Sequence, residues 1–155
     1  MKIEKTCTFP FPVHAVWDAL LDAHLVGACM PGVSQVEKTA EDRFKVTVTA
    51  KVGIVKPTFR LDVELLETEP VQRLRSRCTG EANGMLGSLR QTTEIRLKST
   101  DDGGASMSVD AEVDVFGRLG TYGYGVFKGK AEEIWAMFVA NLAAAIERRE
   151  SHAQR

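Results

Sequence analysis

Residues that could carry nucleophilic catalysis are few in this sequence. The 155 residues include three histidines and three cysteines: His14, His24, His152, Cys7, Cys29 and Cys78. A nucleophile needs a base within reach and a third group that orients that base. His24 and Cys29 are near enough in sequence to meet, but both fit ordinary positions in a helix and a turn. The cysteines lack CxxC spacing, which favours reduced thiols over a disulfide framework or a zinc site.

Acidic residues could serve as a general acid and base if two of them faced one cleft. Most of those in the centre of the chain alternate with apolar residues, which is typical of solvated strand faces. They are Glu64, Glu67, Glu69, Glu94, Asp110, Glu112 and Asp114. Glu81 is the least clearly assigned, since it flanks a strand of small residues near a loop. The glycines of 120–125 have GxxGxG spacing and no surrounding βαβ unit, which argues against a dinucleotide site. The sequence thus predicts no catalytic residue, no metal site and no cofactor.

Length and composition favour one globular domain without affinity for nucleic acid. A chain of 155 residues, 44% hydrophobic and 26% charged, can bury a core unaided. The net charge of −1 and the lack of a basic block argue against nucleic acid as a partner. We see no secretory signal and no apolar run near the ~20 residues that span a bilayer, so we expect a cytoplasmic protein. We assign residues 1–150 to the domain and 151–155 to a frayed tail.

Hydrophobic periodicity defines the elements that would position a site. Alternating polarity predicts seven strands and is clearest from Phe44 to Ile54. The strands cover residues 2–9, a short segment from 33, and 44–54, 58–66, 74–82, 89–97 and 107–115. Helical spacing predicts short helices over 12–21 and 22–28 and one long helix over about 119–149. Short connections make the strands antiparallel, and the long helix must cover one concave face of a curved sheet, an α+β arrangement.

Four short motifs carry a resemblance to a known family. They are Pro12-Val13-His14-Ala15-Val16-Trp17, Cys29-Met30-Pro31-Gly32, the run from Thr49 to Phe59, and Gly117-Arg118-Leu119-Gly120. With these motifs, residues 1 to about 147 resemble the CoxG-like family, that of the G subunit of carbon monoxide dehydrogenase, within the START-like (SRPBCC), helix-grip superfamily. Tyr122-Gly123-Tyr124 departs from the pattern, because relatives often carry small residues there.

The resemblance implies a helix-grip fold, in which a seven-stranded antiparallel sheet curves around the C-terminal helix and two short helices follow the first strand. It also implies an accessory factor for the assembly or membrane attachment of a molybdenum hydroxylase of the carbon monoxide dehydrogenase type. No conserved catalytic chemistry belongs to the family, so we expect a protein that is not an enzyme. The implied location is the cytoplasm, with peripheral attachment to the inner face of the cytoplasmic membrane as a further option.

Small residues on two facing surfaces predict unfilled volume between the sheet and the long helix. Cys78, Gly80 and Ala82 share the inner phase of one strand, and glycines crowd the start of the helix. We therefore predict an apolar cavity for a quinone- or lipid-like molecule, with Gln91 and Thr93 as polar handles. Its predicted lining is Phe59, Cys78, Leu89, Gln91, Met107, Val109, Leu119, Gly123, Phe127 and Trp135. The alternative is a helix that sits closer and closes the gap.

Two further segments complete the predicted site. Tyr122 and Tyr124, set among glycines, would form a gate that opens for the ligand; the alternative is that the glycines merely permit close packing of the helix on the sheet. An apolar hairpin tip with a basic collar would suit an anionic membrane or a protein partner. The tip consists of Ile54, Val55, Lys56 and Arg60. An ordinary hairpin with solvated lysines is the alternative for this segment.

The favoured function is a carrier or docking protein, and two other classes stay open. A pure interaction module with a closed core would recruit the hydroxylase through its surface alone. A cyclase or lyase is the other class, and an ionisable residue of strongly shifted pKa deep in the pocket would favour it.

Overall fold

One antiparallel sheet of seven strands and three helices make up residues 1–153, the part of the chain that the computed structural model describes. In chain order the elements are β1 Lys2–Phe9, α1 Val13–Leu21, α2 Ala23–Cys29, β2 Val33–Ala40, β3 Arg43–Thr49, β4 Thr58–Glu69, β5 Arg73–Ala82, β6 Gly87–Ser99, β7 Ala105–Phe116 and α3 Tyr124–Ala153. Two 3₁₀ segments, Asn83–Met85 and Gly117–Tyr122, precede β6 and α3. The α+β fold predicted from the sequence is confirmed.

The sheet has the order β1-β7-β6-β5-β4-β3-β2, and neighbouring strands are antiparallel. Sequential strands pair from β2 to β7, and β1 adds to the free side of β7. Residues that face each other across two strands lie on one face of a sheet. One such row joins Val63, Cys78, Gln91 and Val113. The face that contains this row is called the inner face here.

The two short helices are held to the end of α3. Pro12 precedes α1, whose Val16 and Trp17 are buried. Asp22 caps α2, because its Oδ1 accepts a hydrogen bond of 3.1 Å from the Leu25 N–H. Arg149 of α3 donates to the other carboxylate oxygen of Asp22. Asp22 therefore connects the junction of the short helices to α3.

Two predicted boundaries are wrong, each at a glycine with positive φ. The strand predicted over 44–54 ends at Thr49, because Val52 and Val55 exchange backbone hydrogen bonds of 2.9 and 3.1 Å around Gly53, whose φ is +60°. The long helix predicted from 119 begins at Tyr124, since Gly123 has a φ of +85°. The strand alternation continues in sequence across Gly53, and the helical spacing continues across Gly123. Neither pattern therefore indicates where the strand or the helix stops.

The predicted frayed tail starts inside α3. The helix continues through Ala153, so residues 151–153 are helical and exposed. Residues 154–155 lie outside the described part of the chain. Helix α3 exceeds the predicted end at 149 because residues 150–153 include neither Gly nor Pro, the two residue types most unfavourable in a helix. No helix among the described residues combines the length and hydrophobicity needed to cross a membrane.

Apolar side chains pack in two clusters toward opposite ends of the inner face. The helical cluster joins α1 and the C-terminal half of α3 to one end of the sheet, with Val16, Trp17, Met107, Leu142 and Ile146 in its centre. The turn cluster lies at the other end, around the buried Phe59, Ala82 and Leu119. The two clusters fix α3 across the sheet and leave a stretch of inner face between them.

Candidate functional site

The inner face is incompletely covered midway between the two clusters. Val63, Cys78 and Gln91 are cross-strand neighbours there, and each stays half-buried. Phe44 and Val46 of β3 extend this half-buried surface toward β2. The apolar members Phe44, Val46 and Val63 belong to neither packed cluster. This stretch is the candidate ligand cleft.

Helix α3 forms the opposite wall of the cleft. Phe127, near its start, packs in the turn cluster, whereas Phe138 and Leu142 are buried in the helical cluster. Between these anchors Ala131 and Ile134 are half-buried and belong to neither cluster. At 1.5 Å per residue, the stretch from Phe127 to Trp135, which already packs in the helical cluster, measures roughly 12 Å. That length suits an extended apolar molecule lying along the helix.

The polar groups in the middle of the cleft are neutral. Gln91 Nε2 donates a hydrogen bond of 2.9 Å to Thr93 Oγ1, and Ser76 lies opposite Thr93 in the register of β5 and β6. The Gln91 amide also carries an acceptor oxygen. Burial, with a smaller contribution from Asp62, raises the pKa of the Cys78 thiol to about 12. The thiol is therefore protonated at neutral pH, and the cleft offers hydrogen bonds rather than a thiolate.

The predicted cavity lining is divided between the clusters and the cleft. Four of its residues pack in the turn cluster: Phe59, Leu89, Leu119 and Phe127. Three pack in the helical cluster: Met107, Val109 and Trp135. Cys78 and Gln91 lie in the cleft itself. Gly123 is exposed, and a Cβ added to it would meet no heavy atom within 4 Å, so the structure does not bring Gly123 to the others.

The two residues of the predicted gate have different surroundings. Tyr122 is half-buried in the turn cluster, with its ring against Gly53. Tyr124 is exposed at the first position of α3, and Lys128 Nζ stands 5.9 Å from its ring centre. A gate at this end of the cleft would therefore depend on Tyr122.

The predicted tip is the tight turn between β3 and β4. Its geometry leaves Ile54 93% exposed, while Val55 packs inward in the turn cluster. Lys56 and Arg60 are both exposed. The turn thus has one protruding apolar side chain near Lys56, whereas Arg60 lies within β4 on the outer face of the sheet.

Sequence reasoning missed a second exposed apolar residue near the tip. Met85 is also 93% exposed and has a φ of +57° in the segment Asn83–Met85. Asn83 Oδ1 accepts a hydrogen bond of 2.9 Å from the Thr58 N–H, which holds this segment beside the start of β4. A single methionine in a loop has no periodic signal that could have marked it.

A charged pair at the side of the cleft was missed as well. Lys5 interrupts the inner phase of β1, and its ammonium group pairs with Glu132 of α3. The signal was present in the sequence, because Ile3, Cys7 and Phe9 are apolar on the same face. The partner could not be identified without the placement of α3.

Two surface grooves lie outside the cleft. A groove of about 660 Å³ on the outer face of the sheet includes Arg60, Glu81, Arg90 and Phe116. A groove of about 810 Å³ between α2 and α3 includes His24 and Cys29.

Neither groove has the features of a reactive centre. Burial raises the pKa of the Cys29 thiol, which disfavours a thiolate beside His24. Glu81 is exposed on the outer face, away from the cleft. Within residues 1–153 no group of three or more His, Cys, Asp or Glu side chains is placed to hold a metal ion.

A seven-stranded antiparallel sheet that holds a long C-terminal helix, with short helices after β1, defines a START-like, helix-grip domain. Solved structures of this fold include a conserved protein from Geobacillus kaustophilus, with a TM-score of 0.88, 19% identity and 96% of each chain covered. A START superfamily protein from Mycobacterium smegmatis has a TM-score of 0.70 and 11% identity, covering 95% of this chain and 97% of that one. The Zhui aromatase/cyclase from Streptomyces sp. R1128 has a TM-score of 0.67 and 17% identity, covering 96% and 94%. At these identities the likeness establishes the fold alone.

The family follows from the sequence match. The model of the CoxG family, that of the G subunit of carbon monoxide dehydrogenase, matches residues 9–147. The chain therefore belongs to the CoxG family, and the family resemblance identified from its motifs is confirmed. A comparison with curated protein sequences gives no significant match.

Proposed function

We propose that the protein carries a hydrophobic small molecule, quinone- or lipid-like, in the cleft between α3 and the inner face. In this role it serves as a non-enzymatic accessory protein of a molybdenum hydroxylase of the carbon monoxide dehydrogenase type. The hydroxylase is inferred from the family, whereas the ligand is inferred from the cleft. The observation that carries the proposal is the half-buried apolar surface between two packed clusters.

Packing supports a ligand over a closed interior. Val63 and Ile134 lie on the two walls of the cleft, and both keep solvent exposure although neighbouring positions in each element are packed. Apolar surface that remains open between well-packed regions is typical of ligand sites. An occupant would remove that surface from water, which stabilises the complex by about 25 cal/mol per Å².

The tip supports a role in exchanging the ligand at a membrane surface. Ile54 protrudes from the turn two residues before the exposed Lys56, and Arg60 is exposed further along on β4, an arrangement suited to the inner face of an anionic membrane. Met85 lies on the adjoining loop and would enlarge the apolar contact. Ligand exchange with a membrane, followed by docking on the hydroxylase, is the sequence of events that this arrangement favours.

Catalysis is the alternative raised by the likeness to an aromatase/cyclase. It would require an ionisable group free to exchange a proton in the cleft. Cys78 is held protonated by burial, and Lys5 is paired with Glu132. These observations favour holding a ligand over transforming it.

Native mass spectrometry of protein purified from its own cells tests the proposal directly. The protein of a carrier should be purified with an apolar molecule bound, and denaturation should release that molecule. When the released molecule is incubated with fresh protein, it should stay chemically unchanged. Protein that arrives empty and fails to bind Nile red, a neutral apolar dye, would contradict the proposal.

A pair of matched variants locates the site. Ala131 is half-buried on the cleft wall, so Ala131→Phe should fill the cleft and weaken Nile red binding by about tenfold, or 1.4 kcal/mol. Ala140 is exposed on the same helix, so Ala140→Phe should leave binding unchanged. Equal binding by both folded variants would place the dye elsewhere.

A further inference from the structure

Charge is rare on the inner face of the sheet. The inner-phase positions of β1 to β7, all within the described residues, carry two charged side chains, Lys5 and Lys38. Lys5 is central on β1, and its side chain is 18% exposed. Lys38 lies opposite Phe44 in the register of β2 and β3, with its side chain 53% exposed and its Nζ 3.9 Å from Glu41 Oε2. Lys5 is therefore the more buried of the two cations on the sheet wall, whereas Lys38 is solvated beside Phe44.

The opposite wall carries a second cation. Lys130 falls between Phe127 and Ile134 at helical spacing, on the stripe of α3 that turns toward the sheet, and its side chain is 22% exposed. Its Nζ stands 3.6 Å from Glu133 Oε2. One cation thus belongs to each wall of the cleft.

Two consecutive glutamates of α3 neutralise these two cations. Glu132 pairs with Lys5 across the gap between helix and sheet, and Glu133 pairs with Lys130 along the helix. The side chains of Glu132 and Glu133 are 50% and 62% exposed, so they stand at the solvent edge of the cleft rather than inside it. The interior between them offers the neutral groups of Ser76, Gln91 and Thr93.

We infer that Glu132 and Glu133 set the ligand class by neutralising the cleft, which selects an uncharged apolar molecule bearing a hydroxyl or carbonyl group over a carboxylate such as a fatty acid. The inference rests on the proposed carrier function and names its ligand class. A carboxylate in the cleft would need a cation, and an isolated buried charge is strongly disfavoured. The ammonium groups of Lys5 and Lys130 already have a carboxylate partner, whereas a hydroxyl or carbonyl finds Gln91 and Thr93.

The test compares two ligands that differ in their head group alone. Dodecanol and dodecanoate compete with Nile red on the full chain at neutral pH, and the ratio of their half-displacement concentrations is the readout. Because an ionised carboxylate partitions less into any apolar site, the wild-type protein should already favour dodecanol. The result is therefore the change of this ratio in each variant relative to the wild type. Glu132→Gln leaves Lys5 free, and the ratio should shift about tenfold toward dodecanoate, as one new charge-assisted hydrogen bond predicts.

Matched variants separate charge from shape. Glu133→Gln should shift the ratio in the same direction, because it frees Lys130. Lys5→Met combined with Glu132→Gln should cancel the gain, since no cation then remains at that position. Glu147→Gln, an exposed glutamate on the same helix, should leave the ratio unchanged. Circular dichroism and thermal unfolding verify that each variant is folded.

The outcomes distinguish the two proposals. A ratio that stays within about twofold of the wild type in both Glu132→Gln and Glu133→Gln overturns the selectivity mechanism and leaves the carrier function standing. A wild-type protein that binds dodecanoate as tightly as dodecanol overturns the ligand class. Wild-type protein that binds neither Nile red nor dodecanol overturns the carrier function and the inference with it.

Discussion

The ring of Tyr122 lies directly against Gly53. A Cβ added to Gly53 would stand 2.6 Å from Tyr122 Cε1 and 2.8 Å from Cδ1. The contact joins the 3₁₀ segment before α3 to the β3–β4 turn, two segments for which the sequence predicts separate roles. Val55 packs in the same cluster as Tyr122. Displacement of the turn must therefore disturb the segment that leads into the helix.

Gly53→Ala is predicted to separate the two segments. The added methyl group would collide with the Tyr122 ring, and the φ of +60° costs a non-glycine residue about 1 kcal/mol by itself. Gly103→Ala is the matched control, because Gly103 has a φ of +84° with no atom within 4 Å of an added Cβ. Chemical denaturation should show a larger loss of unfolding free energy for Gly53→Ala. Equal losses in the two variants would mean that the ring moves aside without cost.

The fold was accessible from the sequence because its signals are local. Strand alternation placed β1 at residues 2–9, as observed, and the short helices followed from apolar spacing after Pro12. The errors came at two glycines whose φ is positive. The turn at Gly53 and the break at Gly123 depend on left-handed conformations that glycine permits but does not impose.

The site was less accessible, because its shape depends on how closely α3 approaches the sheet. The predicted lining residues of the strands share the inner face, yet Phe59 and Met107 belong to packed clusters whereas Cys78 and Gln91 lie in the cleft. That division follows from where Phe127 and Phe138 anchor the helix. The pairing of Lys5 with Glu132 likewise joins the two ends of the chain, so no local pattern could predict it.

The gate hypothesis predicts a specific pattern of hydrogen exchange. Residues 117–123 and 52–55 should exchange together in the empty protein and slow together when Nile red binds, because Tyr122 packs on Gly53. Residues 138–146 should stay protected throughout, since their side chains lie in the helical cluster. Strong protection of 117–123 in the empty protein would rule out the gate.

Two tyrosine variants locate the gate residue. Tyr122→Ala should accelerate exchange in both segments and speed the release of Nile red. Tyr124→Ala should change neither, because Tyr124 is exposed beside Lys128. Faster release in Tyr124→Ala alone would assign the gate to the other ring.

Asp22 is predicted to make stability depend on pH. The hydrogen bond from the Leu25 N–H has the largest effect on the Asp22 carboxyl and lowers its pKa from the usual value of 3.8. Arg149 lowers this pKa further. A depressed folded pKa stabilises the fold above the unfolded value, and this stabilisation is lost as pH falls through and below 3.8. Asp22→Ala should cost about 1 kcal/mol at neutral pH by removing the cap of α2.

The conservative variant at this position isolates the charge. Asp22→Asn keeps an acceptor for the Leu25 N–H but does not titrate, so it should lose the ion pair with Arg149 alone. Its stability deficit relative to the wild type should shrink as the pH falls below about 4. A deficit that is the same at neutral and acid pH would show that the charge of Asp22 does not contribute.

The tip is predicted to bind anionic membranes through Ile54 and its basic collar. Ile54 is 93% exposed, and burial of its side chain together with roughly 1 kcal/mol for each nearby cation gives measurable affinity for an anionic surface. The double variant Ile54→Asp with Lys56→Glu removes the apolar contact and reverses one charge, so co-sedimentation with phosphatidylserine vesicles should fall about tenfold or more. Met137→Asp with Lys98→Glu makes the same changes at exposed positions on α3 and β6, and it should leave binding intact. High salt should weaken wild-type binding, because the attraction between exposed charges is largely screened beyond about 10 Å at 0.1 M salt and beyond shorter distances at higher salt. Equal sedimentation of both double variants, or binding to neutral phosphatidylcholine as strong as to phosphatidylserine, would make the tip ordinary protein surface.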